Sequence, residues 1–294
     1  MSRINEIKNR ISAVKELQKI TNATYLISSV KVKKAQEDLL KTKPYFTQIS
    51  DEIKRIFKTV ENVESKYFYS SEETVQNGTY GYLVITADKG LAGAYNHNVI
   101  KNVENAFEKH GLNKLFVVGD FGRSYFISHK FCVDSTFLYN AQRPTLGRAR
   151  KIAYELIDRF LSGEISKLFV TYTDFTNNKL TVKTERILPL HSGNFIDAKA
   201  KGLLSFEFDP SPEKVLENIV PSCVTGYIYS ALVDSFCSEQ NARMVATYSA
   251  CDNAQNVLDE LKREYNRIRQ GEITRQITEV ASGAKSVSVK EKTE

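Results

Sequence analysis

The sequence predicts a mixed α/β protein in which a long antiparallel two-helix coiled coil frames an inserted, Rossmann-like α/β globular domain. Apolar and small residues recur every seven positions near both ends of the 294-residue chain, which predicts the two helices. Between them, short β-rich runs alternate with helical segments, which predicts the inserted domain. We therefore expect a helix at 1–60, an α/β domain at 78–208, and a returning helix and tip at 211–294 that pairs with the first.

Two heptad phases predict the N-terminal helix. One phase reads Ile4, Ile11, Gln18, Tyr25, Val32, Leu39, Phe46, Ile53 and Val60, and the other Ile7, Val14, Thr21, Ser28, Ala35, Thr42, Ile49 and Ile56. Such a run forms a seam that needs a partner helix. Pro44 falls inside the seam, so we expect the helix to kink or split near Lys43.

The C-terminal run from about residue 222 to 282 carries a matching seam. Its phases read Cys223, Ser230, Cys237, Met244, Cys251, Leu258 and Tyr265, and Gly226, Val233, Gln240, Thr247, Ala254, Leu261 and Ile268. The many small residues suggest that another helix comes close. After Ile268 the pattern slips, because Glu272 and Arg275 occupy the seam and the apolar residues move to Ile273, Ile277 and Val280. We therefore expect the last turns of this helix to contact something other than the N-terminal helix.

The middle of the chain reads as alternating strands and helices. Strands are predicted at 80–87, 114–118, 133–139, 167–172, 181–190 and 203–208, and helices at 98–109 and 146–161. Residues 61–79 read as a loop, and Asn177-Asn178 as a turn. Ser211 and Pro212 supply an N-cap and a first-turn proline for the returning helix.

The connectivity predicts that the two long helices run antiparallel, because one enters and the other leaves the same inserted domain. Counting from that domain, Ile4 should lie opposite the region near Ile268. Residues 271–294 should then project as an unpaired tip. The final segment, 285–294, is polar and is expected to fray.

Composition excludes several classes of protein. A hydrophobic content of 41% suits a folded chain, and no apolar run approaches the ~20 residues needed to span a membrane. The charged N-terminus has no apolar signal core, so we expect a cytoplasmic location. Cys132, Cys223, Cys237 and Cys251 form no C-x-x-C pair, and the last three are predicted to be small core residues.

The positive charge is concentrated near the N-terminus. Residues 1–43 hold ten Lys/Arg and four Asp/Glu, which accounts for a net charge of +6. A basic helix is compatible with nucleic acid, a membrane surface or an acidic protein partner, and equally with a solvated outer face.

The best candidate for an enzymatic site is the turn at 88–93, Asp-Lys-Gly-Leu-Ala-Gly, which follows the first strand of the domain. It lacks the full phosphate-binding patterns, so a tight strand-to-helix turn is the better interpretation. The histidines His97, His110, His129 and His191 have no metal-ligand spacing and are expected on the surface or in loops. No catalytic residue, cofactor site or metal site is predicted.

Three blocks of the sequence resemble the gamma subunit of bacterial F-type ATP synthases. Residues 4–36 (INEIKNRISAVKELQKITNATYLISSVKVKKAQ) resemble its opening helix, and residues 85–100 (ITADKGLAGAYNHNVI) its first strand and turn. Residues 238–284 (SEQNARMVATYSACDNAQNVLDELKREYNRIRQGEITRQITEVASGA) resemble its closing helix almost throughout. The blocks cover about a third of the chain and lie in the family's order.

The resemblance implies a rotor shaft that performs no bond chemistry. Its coiled coil would stand inside the hexamer of alpha and beta subunits, and its domain would rest, with an epsilon subunit, on a membrane-embedded c-type ring. Ion flow would turn ring and shaft and so drive ATP synthesis, or run in reverse with hydrolysis. The protein would lie on the cytoplasmic face of the bacterial plasma membrane as a peripheral part of the complex. No nucleic acid, cofactor or small-molecule substrate is implied.

The resemblance also implies contact residues. Arg269, Gln270 and Thr274 match the family positions that grip the catalytic subunits near the collar of the shaft. Lys31, Lys33 and Lys34 would face acidic loops of the same subunits. For both sets the plain alternative is an exposed polar helix face.

The sequence departs from the family at several places. Asn22 and Thr24 stand where many bacterial members have Lys and Met, which weakens the expectation of a basic contact there. After Leu188-Pro189-Leu190 the short loop 191–202 carries no cysteine, so the thiol control of chloroplast-type members is not expected.

The alternative function is a coiled-coil scaffold whose globular domain binds a ligand or nucleic acid.

Overall fold

The computed structural model describes residues 2–59, 65–69, 78–107, 113–176, 179–191, 209 and 211–290. They form two compact units: Met1–Ile27 with Met244–Glu294, and Ser28–Arg243. Within the described residues, no helix is both long and apolar enough to cross a membrane.

The described chain contains five helices and six strands. In order they are α1 (Ser2–Thr59), β1 (Phe68–Tyr69), β2 (Tyr80–Ile85), α2 (Tyr95–Phe107), β3 (Asn113–Val118), α3 (Asp120–Ser128), α4 (Leu146–Leu161), β4 (Lys167–Thr176), β5 (Lys179–Leu188), β6 (Leu190–His191) and α5 (Pro212–Lys290). The long helices at both ends and the α/β segment between them confirm the predicted fold class.

In the Ser28–Arg243 unit, the main sheet has four strands in the order β3-β2-β4-β5. Strand β2 pairs in parallel with both β3 and β4, while β4 and β5 form an antiparallel hairpin. The connections β2–α2–β3 and β3–α4–β4 place parallel strands on both sides of β2, as in doubly wound folds. A separate two-stranded ladder joins β1 to β6.

Each face of this sheet has its own core, because successive side chains of a strand point to opposite faces. Tyr82 and Val84 belong to a cluster with residues of α2 and α3. Leu83 and Ile85 belong to a larger cluster with residues of α4, α5 and the second half of α1. Helices therefore cover both faces, which is the three-layer arrangement expected of alternating β and α units.

Of the two outcomes expected at Pro44, the split is wrong, because α1 is continuous from Ser2 to Thr59, and the kink stays a prediction. Proline removes one helix hydrogen bond. On the next turn Phe46 and Ile49 pack against the main core, and this burial stabilises the helix through the proline. Helix α5 likewise continues through its internal proline, Pro221.

The start of α5 confirms the predicted cap, since the hydroxyl of Ser211 accepts a hydrogen bond from the backbone N–H of Lys214 (3.3 Å). At its other end the backbone stays helical to Lys290, and the last four residues of the tail expected to fray, 291–294, lie outside the described residues. Between 216 and 243 most side chains are buried on every side, as in a helix surrounded by its own core.

The strand predicted at 133–139 is wrong. Only Val133 and Tyr139 make isolated bridges, to Leu115 and Val118. Between them the carboxylate of Asp134 accepts hydrogen bonds from the backbone N–H groups of Thr136 (2.9 Å) and Phe137 (3.1 Å). This local turn takes the backbone away from the sheet.

Other elements differ in their limits. The predicted helix 98–109 is α2, which begins three residues earlier, and the predicted strand 181–190 is β5, which ends at Leu188. Helix α3 was not predicted, and β1 lies inside the predicted loop 61–79. The predicted strand 203–208, the turn at Asn177-Asn178 and His110 lie outside the described residues.

The cysteines are unpaired in the structure: Cys223 and Cys237 are buried, Cys251 is half-buried and Cys132 is exposed. Burial raises the pKa of both Cys223 and Cys237 to about 12, so their thiols stay protonated at neutral pH. The prediction that the α5 cysteines are small core residues is confirmed for these two.

Candidate partner interface

In the unit formed by Met1–Ile27 and Met244–Glu294, α1 and α5 pair along the predicted seam. Of its members, Ile7, Thr247, Ala254 and Leu258 are buried, and the other described seam residues of α1 in this unit are half-buried. Most residues between them are exposed. The heptad phases therefore predicted correctly which face of each helix meets the other.

Specific contacts show that the pair runs antiparallel. Arg3 Nη2 lies 3.7 Å from Glu264 Oε1, and the amide of Gln18 donates to Gln255 Oε1 at 3.1 Å. Farther along, the rings of Tyr25 and Tyr248 lie 6.4 Å apart. The α5 partner number falls as the α1 number rises, so the expected orientation is confirmed.

The seam ends where the sequence pattern slips. Lys8 Nζ lies 5.9 Å from the ring centroid of Tyr265, and Ile268 is the last half-buried member of its heptad phase. From Ile273 to Gly283 every side chain is exposed, including the apolar Ile273, Ile277 and Val280. This segment, 269–283, is called the α5 tip below.

Two of the predicted contact residues on the tip are turned to solvent. Arg269 and Gln270 are exposed, and within the described chain no carboxylate lies within 4 Å of the Arg269 guanidinium. Its donors are therefore available to a carboxylate from another chain. Thr274 is exposed, but its hydroxyl already donates to the carbonyl of Gln270 at 2.9 Å.

The remaining predicted contact residues belong to the Ser28–Arg243 unit. Lys31, Lys33 and Lys34 are exposed on α1, next to the buried seam residue Ala35. The charge of Lys31 acts on Glu239 of α5, where burial raises the carboxyl pKa and Arg243 and Lys31 oppose that rise.

The segment 88–93 is a turn that connects β2 to α2, as the sequence predicted. The carboxylate of Asp88 accepts backbone hydrogen bonds from Asp120 (3.3 Å), Ala141 (2.9 Å) and Gln142 (3.1 Å). It thereby ties the end of β2 to the chain segments that follow β3. The carbonyls of Lys89 and Gly90 accept hydrogen bonds from Arg243 Nη2 (3.4 and 3.1 Å).

Arg243 also pairs with Glu239 one helical turn earlier, at 2.6 Å, and both residues are buried. The ion pair therefore joins α5 to the turn after β2. Removing either residue would take the directly paired opposite charge away from the other, which gives the pair a structural role. This connection between α5 and the turn after β2 was not predicted from the sequence, because the heptad pattern does not indicate where a charged pair is buried.

Apolar side chains outside the seam were also missed. Leu17, Ile20 and Ile27 of α1 and Val245 and Tyr248 of α5 are all more than half exposed. Exposed apolar groups that follow a helix face are typical of surfaces that contact other proteins. The signal was present in the sequence as apolar residues between the heptad positions.

Comparisons with known proteins decide the family. A family model described as "ATP synthase" matches residues 3–287. The ATP synthase gamma chain of Acetivibrio thermocellus is 37% identical over 295 residues, which covers 98% of this chain and 100% of that protein. The chain belongs to the ATP synthase gamma chain family.

Two further comparisons agree. The gamma chain of Caldanaerobacter subterraneus is 38% identical over 290 residues, with 95% of this chain and 98% of that protein covered. A chain in the structure of Euglena gracilis mitochondrial ATP synthase (OSCP/F1/c-ring, rotational state 3) matches with a TM-score of 0.67 at 13% identity, covering 97% of this chain and 95% of that chain. At that identity the match shows a shared fold alone.

Proposed function

We propose that this chain is the central rotary shaft of an F-type ATP synthase and couples ion flow through a membrane ring to ATP synthesis or hydrolysis in a catalytic hexamer. The observation that carries the proposal is the antiparallel α1–α5 seam followed by the exposed α5 tip, in a chain of the gamma family. Family membership favours this function over the coiled-coil scaffold considered from the sequence.

A shaft must resist twisting and must also turn against its surroundings. The α1–α5 pair is suited to the first requirement, because two helices joined along a buried seam are stiffer than one. The exposed apolar residues Ile273, Ile277 and Val280 are suited to the second. Apolar contact is non-directional, so it persists as the tip turns, whereas a ring of specific hydrogen bonds would not.

We assign the directional contacts to Arg269 and Gln270, with Thr274 as a weaker contributor because its hydroxyl is already used within the helix. An Arg–carboxylate bond is charge-assisted and is worth about 1.5–3 kcal/mol when partly buried. Lys31, Lys33 and Lys34 supply a second, electrostatic contact to acidic loops of the catalytic subunits.

The chain's role is mechanical, and ATP chemistry belongs to its partners. The proposed partners are alpha and beta subunits, an epsilon subunit and a c-type ring, with no nucleic acid, cofactor or small-molecule substrate. The complex would place the chain on the cytoplasmic face of the plasma membrane as a peripheral component. In the described residues, no cluster of three or more His, Cys, Asp or Glu side chains is arranged to hold a metal ion.

The test is the Arg269→Ala, Gln270→Ala double variant in the assembled ATP synthase. Loss of two directional contacts should lower coupled ATP synthesis several-fold while the variant chain still co-purifies with the complex. Arg275→Ala is the matched control, because that guanidinium already lies 3.5 Å from Glu279 on the same helix and should leave synthesis near wild type. Unchanged synthesis in a fully assembled double variant would remove Arg269 and Gln270 from the interface.

The shaft proposal itself is tested by stoichiometry. A tagged chain should co-purify with alpha and beta subunits at one copy per hexamer, and the isolated chain should show no ATPase activity. Salt-sensitive nucleic-acid binding without any ATP synthase subunit would favour the scaffold function instead.

A further inference from the structure

A groove lies between α1 and α5 in the Ser28–Arg243 unit. Asp234 of α5 lines it, and the next residue, Ser235, accepts a hydrogen bond from the backbone N–H of Thr173 on β4 at 3.1 Å. The lining of the groove includes Phe46 and Tyr227, together with the charged side chains Lys43, Lys54 and Asp234. Lys54 is 3.2 Å from Asp51 and so is already paired. Asp234, by contrast, lies in the groove with a partly buried carboxylate.

Among the described residues, Asp234 has no basic partner in direct contact. Its carboxylate accepts a hydrogen bond from Ser230 Oγ at 3.4 Å, and within the described part of the chain no Lys or Arg nitrogen lies within 4 Å of it. The nearby ammonium of Lys183 is held 2.6 Å from Asp174 Oδ2, across the β4–β5 hairpin. The ammonium of Lys183 is thus paired with Asp174 and not with Asp234.

The groups whose charges act on or respond to Asp234 come from every element packed around it. They are Asp174 and Tyr172 on β4, Lys183 on β5, Lys43 on α1, and Ser230 and Cys237 on α5. Burial raises the pKa of Asp234 to about 6, and the charge of Asp174 adds to the rise. The hydrogen bond from Ser230 and the charges of Lys183 and Lys43 oppose it without cancelling it.

We propose that Asp234 makes the contact between α5 and the β4–β5 hairpin proton-sensitive, so that the contact tightens when Asp234 is protonated and loosens when it is ionised. The protonated carboxyl is neutral and remains hydrogen-bonded to Ser230. When Asp234 is ionised, a second negative charge lies near Asp174, and the ammonium of Lys183 is already paired with Asp174.

The direction follows from linkage. A carboxyl whose pKa is higher in the closed state than in the open state favours closing at low pH, and this advantage is lost as pH rises. With a value of about 6 when closed and an ordinary value near 4 when open, the opening constant should rise about tenfold between pH 5 and pH 7.5.

Amide hydrogen exchange of the full-length chain, read by mass spectrometry on peptides covering β5, measures this opening. After correction for the intrinsic pH dependence of exchange, wild-type β5 should open about tenfold more at pH 7.5 than at pH 5. In Asp234→Asn, which resembles the protonated carboxyl in shape and charge, the difference should vanish and β5 should stay protected at both values.

Asp51→Asn is the matched control, because Asp51 lines the same groove but is paired with Lys54, and it should keep the wild-type pH dependence. The proposal is overturned if wild-type β5 shows no corrected pH dependence, or if the dependence persists in Asp234→Asn. Should that variant not fold, carbon-13 NMR of aspartate-labelled wild-type chain decides. A carboxyl that titrates near pH 6 supports the proposal, and titration of every aspartate below pH 5 refutes it.

Discussion

Replacing Gly226 by Ala tests how closely α1 and α5 approach within the Ser28–Arg243 unit. A Cβ atom built on Gly226 would lie 2.7 Å from Cγ and 3.0 Å from Cε1 of Phe46. Ordinary carbon–carbon contacts are about 3.5–4.0 Å, so the ring or the helix would have to move by more than half an ångström. Moving the ring would disturb its edge-on contact with Tyr45 and its contact with Tyr229.

Two opposing effects decide the result. Ala is a better helix former than Gly by about 1 kcal/mol, whereas forcing an extra carbon into a packed contact costs about 1–3 kcal/mol. Because the required displacement is large, we expect Gly226→Ala to lower the free energy of unfolding by about 1–2 kcal/mol net. Urea unfolding of the full-length chain, followed by circular dichroism, measures this change as a lower midpoint.

A second substitution and a control isolate the cause. Phe46→Leu shortens the opposing side chain, so Gly226→Ala should cost less in that background than in wild type. Gly271→Ala is the control, since a Cβ there meets nothing within 4 Å on the same helix, and it should cause no loss of stability. An equal or raised midpoint for Gly226→Ala in wild type would refute the close approach.

The remaining predictions concern buried and terminal groups. Burial opposes ionisation of Asp134, but hydrogen bonds from Thr136 and Lys114 and the charge of Arg159 outweigh it and hold the carboxyl pKa well below its usual range. Asp134→Ala should therefore cost about 3 kcal/mol at neutral pH by thermal or urea unfolding, and should remove the part of the stability that wild type loses as pH falls below about 4. Asp88→Ala should lower stability by about 1–3 kcal/mol by leaving three backbone N–H groups without their acceptor, whereas Asp88→Asn should retain part of that stability. Deleting residues 285–294 should leave coupled ATP synthesis near wild type, and uncoupling in that truncation would make the tail a working part of the shaft.

The long helices were predictable because one physical requirement, burial of a seam, repeats over many turns. Most of their seam positions have reduced exposure, and the slip after Ile268 marks where α5 becomes exposed. Pro44 does not split α1, because burial of Phe46 and Ile49 on the next turn outweighs the one hydrogen bond that proline removes, and the residue pattern near Pro44 does not reveal that burial.

The inserted domain was predicted less well because its elements are short. The run 133–139 is rich in residues that favour strands. The carboxylate of Asp134, however, accepts hydrogen bonds from the backbone N–H groups of Thr136 and Phe137, so a local turn forms there in place of a strand. Helix α3 was missed because it contains Gly122 and several aromatic residues, which are poor helix formers. A Cβ on Gly122 would collide with Thr86, so tertiary packing explains that choice of residue.

The candidate interface was predictable only in part. The exposed positions of Arg269 and Gln270 follow from the helical pattern, but the partial burial of Asp234 and the Glu239–Arg243 joint depend on which chain segments enclose them. Such enclosure arises from contacts distant in sequence, so a pattern along one helix cannot reveal it.

The way α5 meets the end of β4 has a consequence for solubility. Pairing of β2 with β4 stops at Thr171, so the backbone of Thr173 lies beyond the reach of β2. Ser235 accepts its N–H at 3.1 Å, and Ser238 donates to its carbonyl at 3.0 Å. Two serine hydroxyls thus occupy hydrogen-bonding groups that a foreign strand would otherwise use.

The outer edges of the sheet are protected in different ways. Isolated bridges from Val133 and Tyr139 cover β3, while β5 carries the charged residues Lys179, Lys183 and Arg186 along its length. Exposed strand edges are the usual starting points of edge-to-edge aggregation. With one edge covered, one edge charged and the end of β4 satisfied by α5, the domain is protected against such association before any partner subunit binds.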